Sequence, residues 1–223
     1  MLFLLINSSV AAAAGLDIYL VRHAETEANA SGVNNKQTSG EFSVTGLQQI
    51  AHLTTDLVRY QFDEILVSPT ERTLNTIAPY LKKSGRVGVV WPEITECCWQ
   101  GENGGVFEGQ LVPGREIVLP PDVVQQFVFR DAASRVRYEG RNYADGMAQV
   151  QQAVKLIKAR YFGSGKTILI VTHYHAGGLL MAQLLDVERA KLPGLINAGI
   201  THLQQMPDGS MALLMVNGTP VAR

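Results

Sequence analysis

The stretch Leu16–Asn29, L-D-I-Y-L-V-R-H-A-E-T-E-A-N, constrains the rest of the chain more than any other. Its first half builds to the apolar, β-branched run Ile18–Val21, which reads as a buried strand. Arg22 and His23 stand where that strand must end, and Glu25, Thr26, Glu27 and Asn29 follow in a polar loop. In open α/β sheets, ligands sit outside the carboxyl ends of the strands. An Arg-His pair there is a site candidate. A single such pair is more often a solvated loop, so its recurrence at other strand ends has to decide.

It does recur. Glu64–Val67 reads as a second strand, ending in Ser68-Pro69. The serine is expected to cap a helix and the proline to open it, with Arg72 in the first turn, an end near Lys83 and Gly85 as the stop. Val87–Trp91 is a third strand leading into P-E-I-T-E at Pro92–Glu96, and T-I-L-I-V-T at Thr167–Thr172 is the strongest strand, ending in His173. Helical periodicity covers about Thr45–Tyr60, with Leu47, Ile50, Leu53, Leu57 and Val58 on one stripe, then Met147–Tyr161 and Gly177–Leu185. Ile200–Met206, the turn Pro207-Asp208-Gly209 and Met211–Val216 read as an edge hairpin. Between Cys97 and Tyr143 the pattern breaks down, and we expect an inserted lid with one helical piece at Val123–Val136. Strands alternating with helices imply an α/β three-layer sandwich: a mostly parallel sheet with helices on both faces, the lid and the C-terminal hairpin.

In a parallel sheet these strand ends share one edge. Arg22 and Arg72, His23 and His173, and the N–H groups of nearby helix N-termini then form a pocket suited to a multiply charged oxyanion, most economically phosphate. Composition narrows the classes further. The 223 residues, 46% hydrophobic and 17% charged, suit one globular unit over residues 16–223. Nineteen basic residues balance twenty acidic ones, which gives no footprint for nucleic acid and no basic membrane patch. The two cysteines, Cys97 and Cys98, are adjacent, so they form neither a disulfide framework nor a zinc-type spacing. The start, M-L-F-L-L-I-N-S-S-V-A-A-A-A, resembles the tail of a secretory signal peptide without its basic n-region. It points to an exported or periplasmic protein rather than a cytoplasmic one, and it is too short to insert stably in a membrane.

The quoted segments are similar to those of the histidine phosphatase superfamily, the phosphoglycerate-mutase-like proteins. L-V-R-H-A-E-T-E-A-N resembles its first signature, with Ala24 where Gly is commoner, and F-S-V-T-G-L-Q-Q-I resembles the segment opening its first helix. S-P-T-E-R-T-L-N-T-I-A-P and I-V-T-H-Y-H-A-G-G resemble its arginine and second-histidine elements. The four occur in the family's order between about Leu16 and Gly178. The resemblance implies that His23 is the nucleophile that becomes phosphorylated. Arg22 and Arg72 would bind phosphoryl oxygens, Asn29 would add a hydrogen bond, and His173 would stabilise the transferring group. Glu96 would be the general acid, with Glu93 and Glu108 as alternatives, because F-E-G at Phe107–Gly109 comes later than the family's W-E-G. Thr45 lies in the segment that would border the pocket, with no contact expected from it.

The expected activity is hydrolysis of a small phosphorylated substrate, with no metal or other cofactor. A neutral imidazole attacks phosphorus and divides one hard hydrolysis into two easier displacements. Side-chain cations stabilise the equatorial oxygens, and a carboxylic acid protonates the leaving oxygen. Three rivals stand beside it. A metal-dependent hydrolase would use His173 and His175 with His23, but the two arginines would repel its cation. A phosphoglycerate-mutase-like phosphotransferase lacks its long substrate elements here. An inactive phosphate-binding module would have no need of an acid. His175 and His202 are expected to be structural or exposed, and His52 to lie on its helix surface.

Overall fold

The computed structural model describes residues 15–98, 114–136 and 142–222. The signal-like start and Glu108 lie outside them. Eight strands form one sheet in the order β4-β3-β2-β5-β1-β6-β7-β8. They are β1 Asp17–Arg22, β2 Glu64–Val67, β3 Gly88–Val90, β4 Phe127–Phe129, β5 Thr167–Thr172, β6 Ile200–Gln205, β7 Met211–Val216 and β8 Thr219–Pro220. The first five are parallel, and β6, β7 and β8 pair antiparallel beyond β1. The expected hairpin is present as β6 and β7, with the two-residue β8 outside it.

Strand periodicity explains the layers. Ile18 and Leu20 of β1, Leu66 of β2 and Ile168 and Ile170 of β5 point to one face. Val21, Ile65, Val67, Leu169 and Val171 point to the other. Helices α4 (Tyr143–Tyr161) and α5 (Tyr174–Leu185) cover the first face. Helices α2 (Val44–Asp56) and α3 (Glu71–Ser84) cover the second, and a single turn, α1, spans Glu27–Ser31. Each aliphatic side chain fully buried this way contributes about 1.5–3 kcal/mol. Among the described residues no helix is long and apolar enough to cross a membrane.

Several local expectations are corrected. The buried stripe of α2 narrows to Gly46 and Leu53, and Leu47 is exposed; α2 ends at Asp56, so Leu57, which is buried, and Val58, which is exposed, belong to a separate 3₁₀ turn. Gly46 is needed for a different reason: a Cβ there would run into the Glu25 carbonyl, so α2 packs directly on the loop after β1. Helix α3 is capped at Thr70, not Ser68, and Pro69 lies outside it. Gly85 ends it in the left-handed conformation, as expected. The piece Val123–Val136 is not a helix but a 3₁₀ turn, the strand β4 and a second 3₁₀ turn. Helix α5 starts at Tyr174, not Gly177, directly behind His173.

Candidate active site

Of three neighbouring parallel strands, β1 and β2 each continue to pair with β5 for one residue past their ends. The His23 N–H donates to the Thr172 carbonyl (3.0 Å), and the Ser68 N–H to that of Val171 (3.1 Å). His23, His173 and Ser68 therefore follow directly on β1, β5 and β2, at one edge of the sheet. The loop after β1 is pinned there, since the buried Ala24 N–H donates to Thr76 Oγ1 of α3 (3.0 Å).

His23 is buried, and its Nδ1 lies 2.8 Å from the Ala24 carbonyl oxygen. A carbonyl only accepts, so Nδ1 carries the proton and Nε2 keeps its lone pair. Burial, then the Arg72 and Arg22 guanidiniums, hold His23 well below the ordinary imidazole range against the opposing pull of that hydrogen bond. It is neutral at pH 7. The His173 ring lies edge-on to it, with centroids 5.3 Å apart. His173 Nε2 is 2.8 Å from Ser68 Oγ, while its Nδ1 is buried without a hydrogen-bond partner. Burial, Arg72, His23 and Arg22 also push His173 well below its usual range. Ser68 is thus the residue that orients the second histidine. Its place before a proline made it look like a cap, and its hydroxyl faces β5 instead.

Arg22 lies beneath the Tyr174 ring (5.0 Å to the centroid), donates from Nη1 to the Leu195 carbonyl (3.0 Å), and leaves Nε buried without a partner. Glu96 reaches the opposite wall. Its Oε1 accepts the N–H groups of Ala176 (2.9 Å) and His175 (3.2 Å), so a carboxylate occupies the N-terminus of α5, where negative charge is favoured. Both guanidiniums feel that charge. Asn29 Oδ1 accepts from the Thr26 N–H (3.2 Å) and from Asn197 Nδ2 (3.2 Å), which leaves its NH₂ end for a ligand.

Arg22, His23, Asn29, Arg72 and Glu96 line one cavity of about 740 Å³. The structure brings these five expected residues together, and the buried His173, which is not among the lining residues, packs edge-on against His23. Glu93, the alternative acid, is elsewhere: it is buried in a two-pronged ion pair with Arg130 (2.8 and 3.1 Å). Thr45 is exposed and is not among the lining residues. His175, expected to be structural or exposed, instead lines the cavity, and His202 is held by Asp17 (2.6 Å) and stacked on Tyr19. His52 is exposed, as expected. The outer wall comes from Asn34, Asn35, Lys36 and Ser39 in the irregular loop after α1, which carried no sequence signal beyond its polarity. The described residues of the insertion, 97–98, 114–136 and 142–143, include no lining residue, and its strand β4 pairs with β3. Among the described residues, no three His, Cys, Asp or Glu side chains cluster to hold a metal ion.

The sequence model of the histidine phosphatase superfamily (branch 1) matches residues 18–218. The chain is 25% identical over 175 residues to an adenosylcobalamin/alpha-ribazole phosphatase of Salmonella typhi, covering 78% of this chain and 82% of that one. The fold is similar to that of the alpha-ribazole phosphatase from Shigella flexneri, with a TM-score of 0.63, 20% identity and coverage of 93% and 99% of the two chains. It is also similar to a phosphoserine phosphatase mutant from Entamoeba histolytica, with a TM-score of 0.60, 23% identity and coverage of 91% and 96%.

Proposed function

Because the chain belongs to the histidine phosphatase superfamily, we propose that it is a phosphomonoester hydrolase that works through a phosphohistidine on Nε2 of His23. One observation carries this reading. The single ring nitrogen of His23 that keeps a lone pair belongs to a residue lining the cavity that Arg22 and Arg72 also line.

In the first step Nε2 attacks phosphorus, and the bond to the leaving oxygen breaks as Glu96, which enters this step as the carboxylic acid, donates its proton to that oxygen. Arg22 and Arg72 bind the equatorial oxygens, the Asn29 amide adds a hydrogen bond, and His173, edge-on to His23, stabilises the transferring group. In the second step Glu96, now a carboxylate, takes a proton from water as that water attacks phosphorus and releases His23. Positive charge comes from side chains throughout, so no step calls for a metal. The substrate is a small phosphorylated molecule, since the cavity of about 740 Å³ exceeds what a phosphoryl group needs and its outer wall is hydrophilic.

Hydrolysis of a panel of phosphomonoesters with and without a strong chelator tests this reading. Turnover is expected to survive chelation unchanged, and Arg72→Ala to cost about 2–4 kcal/mol in kcat/KM, as for one preorganised oxyanion donor. Activity that disappears in chelator and returns with zinc would contradict it.

A further inference from the structure

The two cysteines take no part in that chemistry, and their arrangement has a chemistry of its own. Successive side chains on an extended backbone point to opposite sides. Here Cys98 has φ +67°, in the left-handed region that non-glycine residues rarely adopt. That turn accompanies the meeting of the two side chains: the sulfurs lie 2.7 Å apart, against about 2.05 Å for a bonded pair. The first turn of α4 forms the floor beneath them. Cys97 Sγ donates to the Gly146 carbonyl (3.6 Å), and a Cβ at Gly146 would meet Cys98 Sγ at 2.5 Å and Cys97 Cβ at 3.1 Å. Gly146 is thus the residue type that lets the dithiol seat against the helix.

We propose that Cys97 and Cys98 form a site of reversible two-electron oxidation, closing to a vicinal disulfide when a peroxide reaches it. Cys97 is buried and Cys98 half-buried, and the hydrogen bond from Cys98 together with burial pushes the Cys97 thiol up. Cys98 is therefore the sulfur that meets the oxidant. Its thiolate attacks a peroxide oxygen, the O–O bond breaks, and Cys98 becomes a sulfenic acid as hydroxide leaves and takes up the proton that the Cys98 thiol had released, giving water. Cys97 Sγ then attacks that sulfur and expels hydroxide, which takes the Cys97 proton. Two thiols and one hydrogen peroxide give one disulfide and two waters.

Closure acts on the neighbouring carboxylate. The Cys97 N–H donates to Glu96 Oε1 (3.2 Å), so drawing the sulfurs together moves the backbone that holds the acid.

The intact protein is treated with hydrogen peroxide, denatured in an alkylating reagent and mapped by mass spectrometry. The peptide bearing both cysteines is expected to lose two hydrogens and resist alkylation, and dithiothreitol to restore two alkylatable thiols. In Cys97→Ser, a dimedone adduct is expected on Cys98. Two free thiols after treatment, oxygen retained on Cys98 of the wild-type protein, or a disulfide joining two chains would each overturn the proposal. Turnover of an alkyl phosphate is expected to fall about tenfold or more on oxidation, toward the loss of a positioned acid. Cys98→Ser is expected to keep its rate in peroxide. A disulfide formed with turnover unchanged would overturn the link to Glu96. Because the thiol readout needs no activity, a protein that hydrolyses nothing would count against the phosphatase reading and leave the disulfide decided on its own result.

Discussion

At His23 one ring nitrogen is committed to the Ala24 carbonyl, and that determines what the other can do. At His173 the partner of Nε2 is the Ser68 hydroxyl, which can donate or accept, so that bond orients the ring without fixing its tautomer, and Nδ1 is left without a partner. Glu96 is the residue whose role the geometry makes most testable. Its carboxylate rests on the first N–H groups of α5, beside both guanidiniums. An alkoxide needs a proton in order to leave, whereas a nitrophenolate departs without one. Glu96→Gln is therefore expected to slow phosphorylation of the enzyme by an alkyl phosphate about 10²–10⁴-fold, and by p-nitrophenyl phosphate much less. Single-turnover rates on both substrates decide it. Equal losses would remove Glu96 from the acid role, and Glu93 cannot take it over, since Arg130 holds it in an ion pair.

That ion pair belongs to the scale of elements, where it ties the residue after β4 to the turn after β3. The Arg130 and Glu93 side chains are 6% and 11% exposed, and the Arg130 guanidinium lies over the Trp91 ring at 4.6 Å. Removing one partner of a buried pair leaves the other uncompensated. Arg130→Ala is expected to lower the unfolding free energy by about 3–5 kcal/mol, measured by urea denaturation, with the fraction still folded retaining its kcat. The strands around the site were legible because a short continuous run of apolar, β-branched residues reads as a strand buried on both faces, as at Thr167–Thr172. Strand β4 was not, because Phe127–Phe129 has three residues and acquires its identity only by pairing with β3. Ser68 was misread for a related reason: a serine before proline reads locally as a cap, and its true partner lies 105 residues away.

Across the whole molecule, the sheet order converts four separate sequence segments into one edge, and burying two histidines there has a thermodynamic signature. Their order along the chain was legible from the motifs, while the outer wall at Asn34–Lys36 was not, since a polar loop shows nothing of what it faces until it is folded. Both His23 and His173 have depressed folded-state pKa values, so below about pH 6.5 the unfolded chain binds more protons than the folded one. Stability therefore rises with pH through that range and is lost on acidification, with a slope approaching about 1.4 kcal/mol per pH unit for each histidine. Between about pH 5 and 6.5, denaturation curves are expected to show this slope, and His173→Gln to reduce it by one proton. The central claim is a covalent one and has a direct measurement. Rapid mixing with a phosphomonoester, quenching in base and peptide mapping, followed by phosphorus–nitrogen correlation NMR, locates any phosphoryl group to a single atom. The account predicts phosphorus bonded to Nε2 of His23, absent from His23→Ala. A burst of product with no phosphoenzyme, or phosphorus on Nδ1 or on another residue, would contradict it.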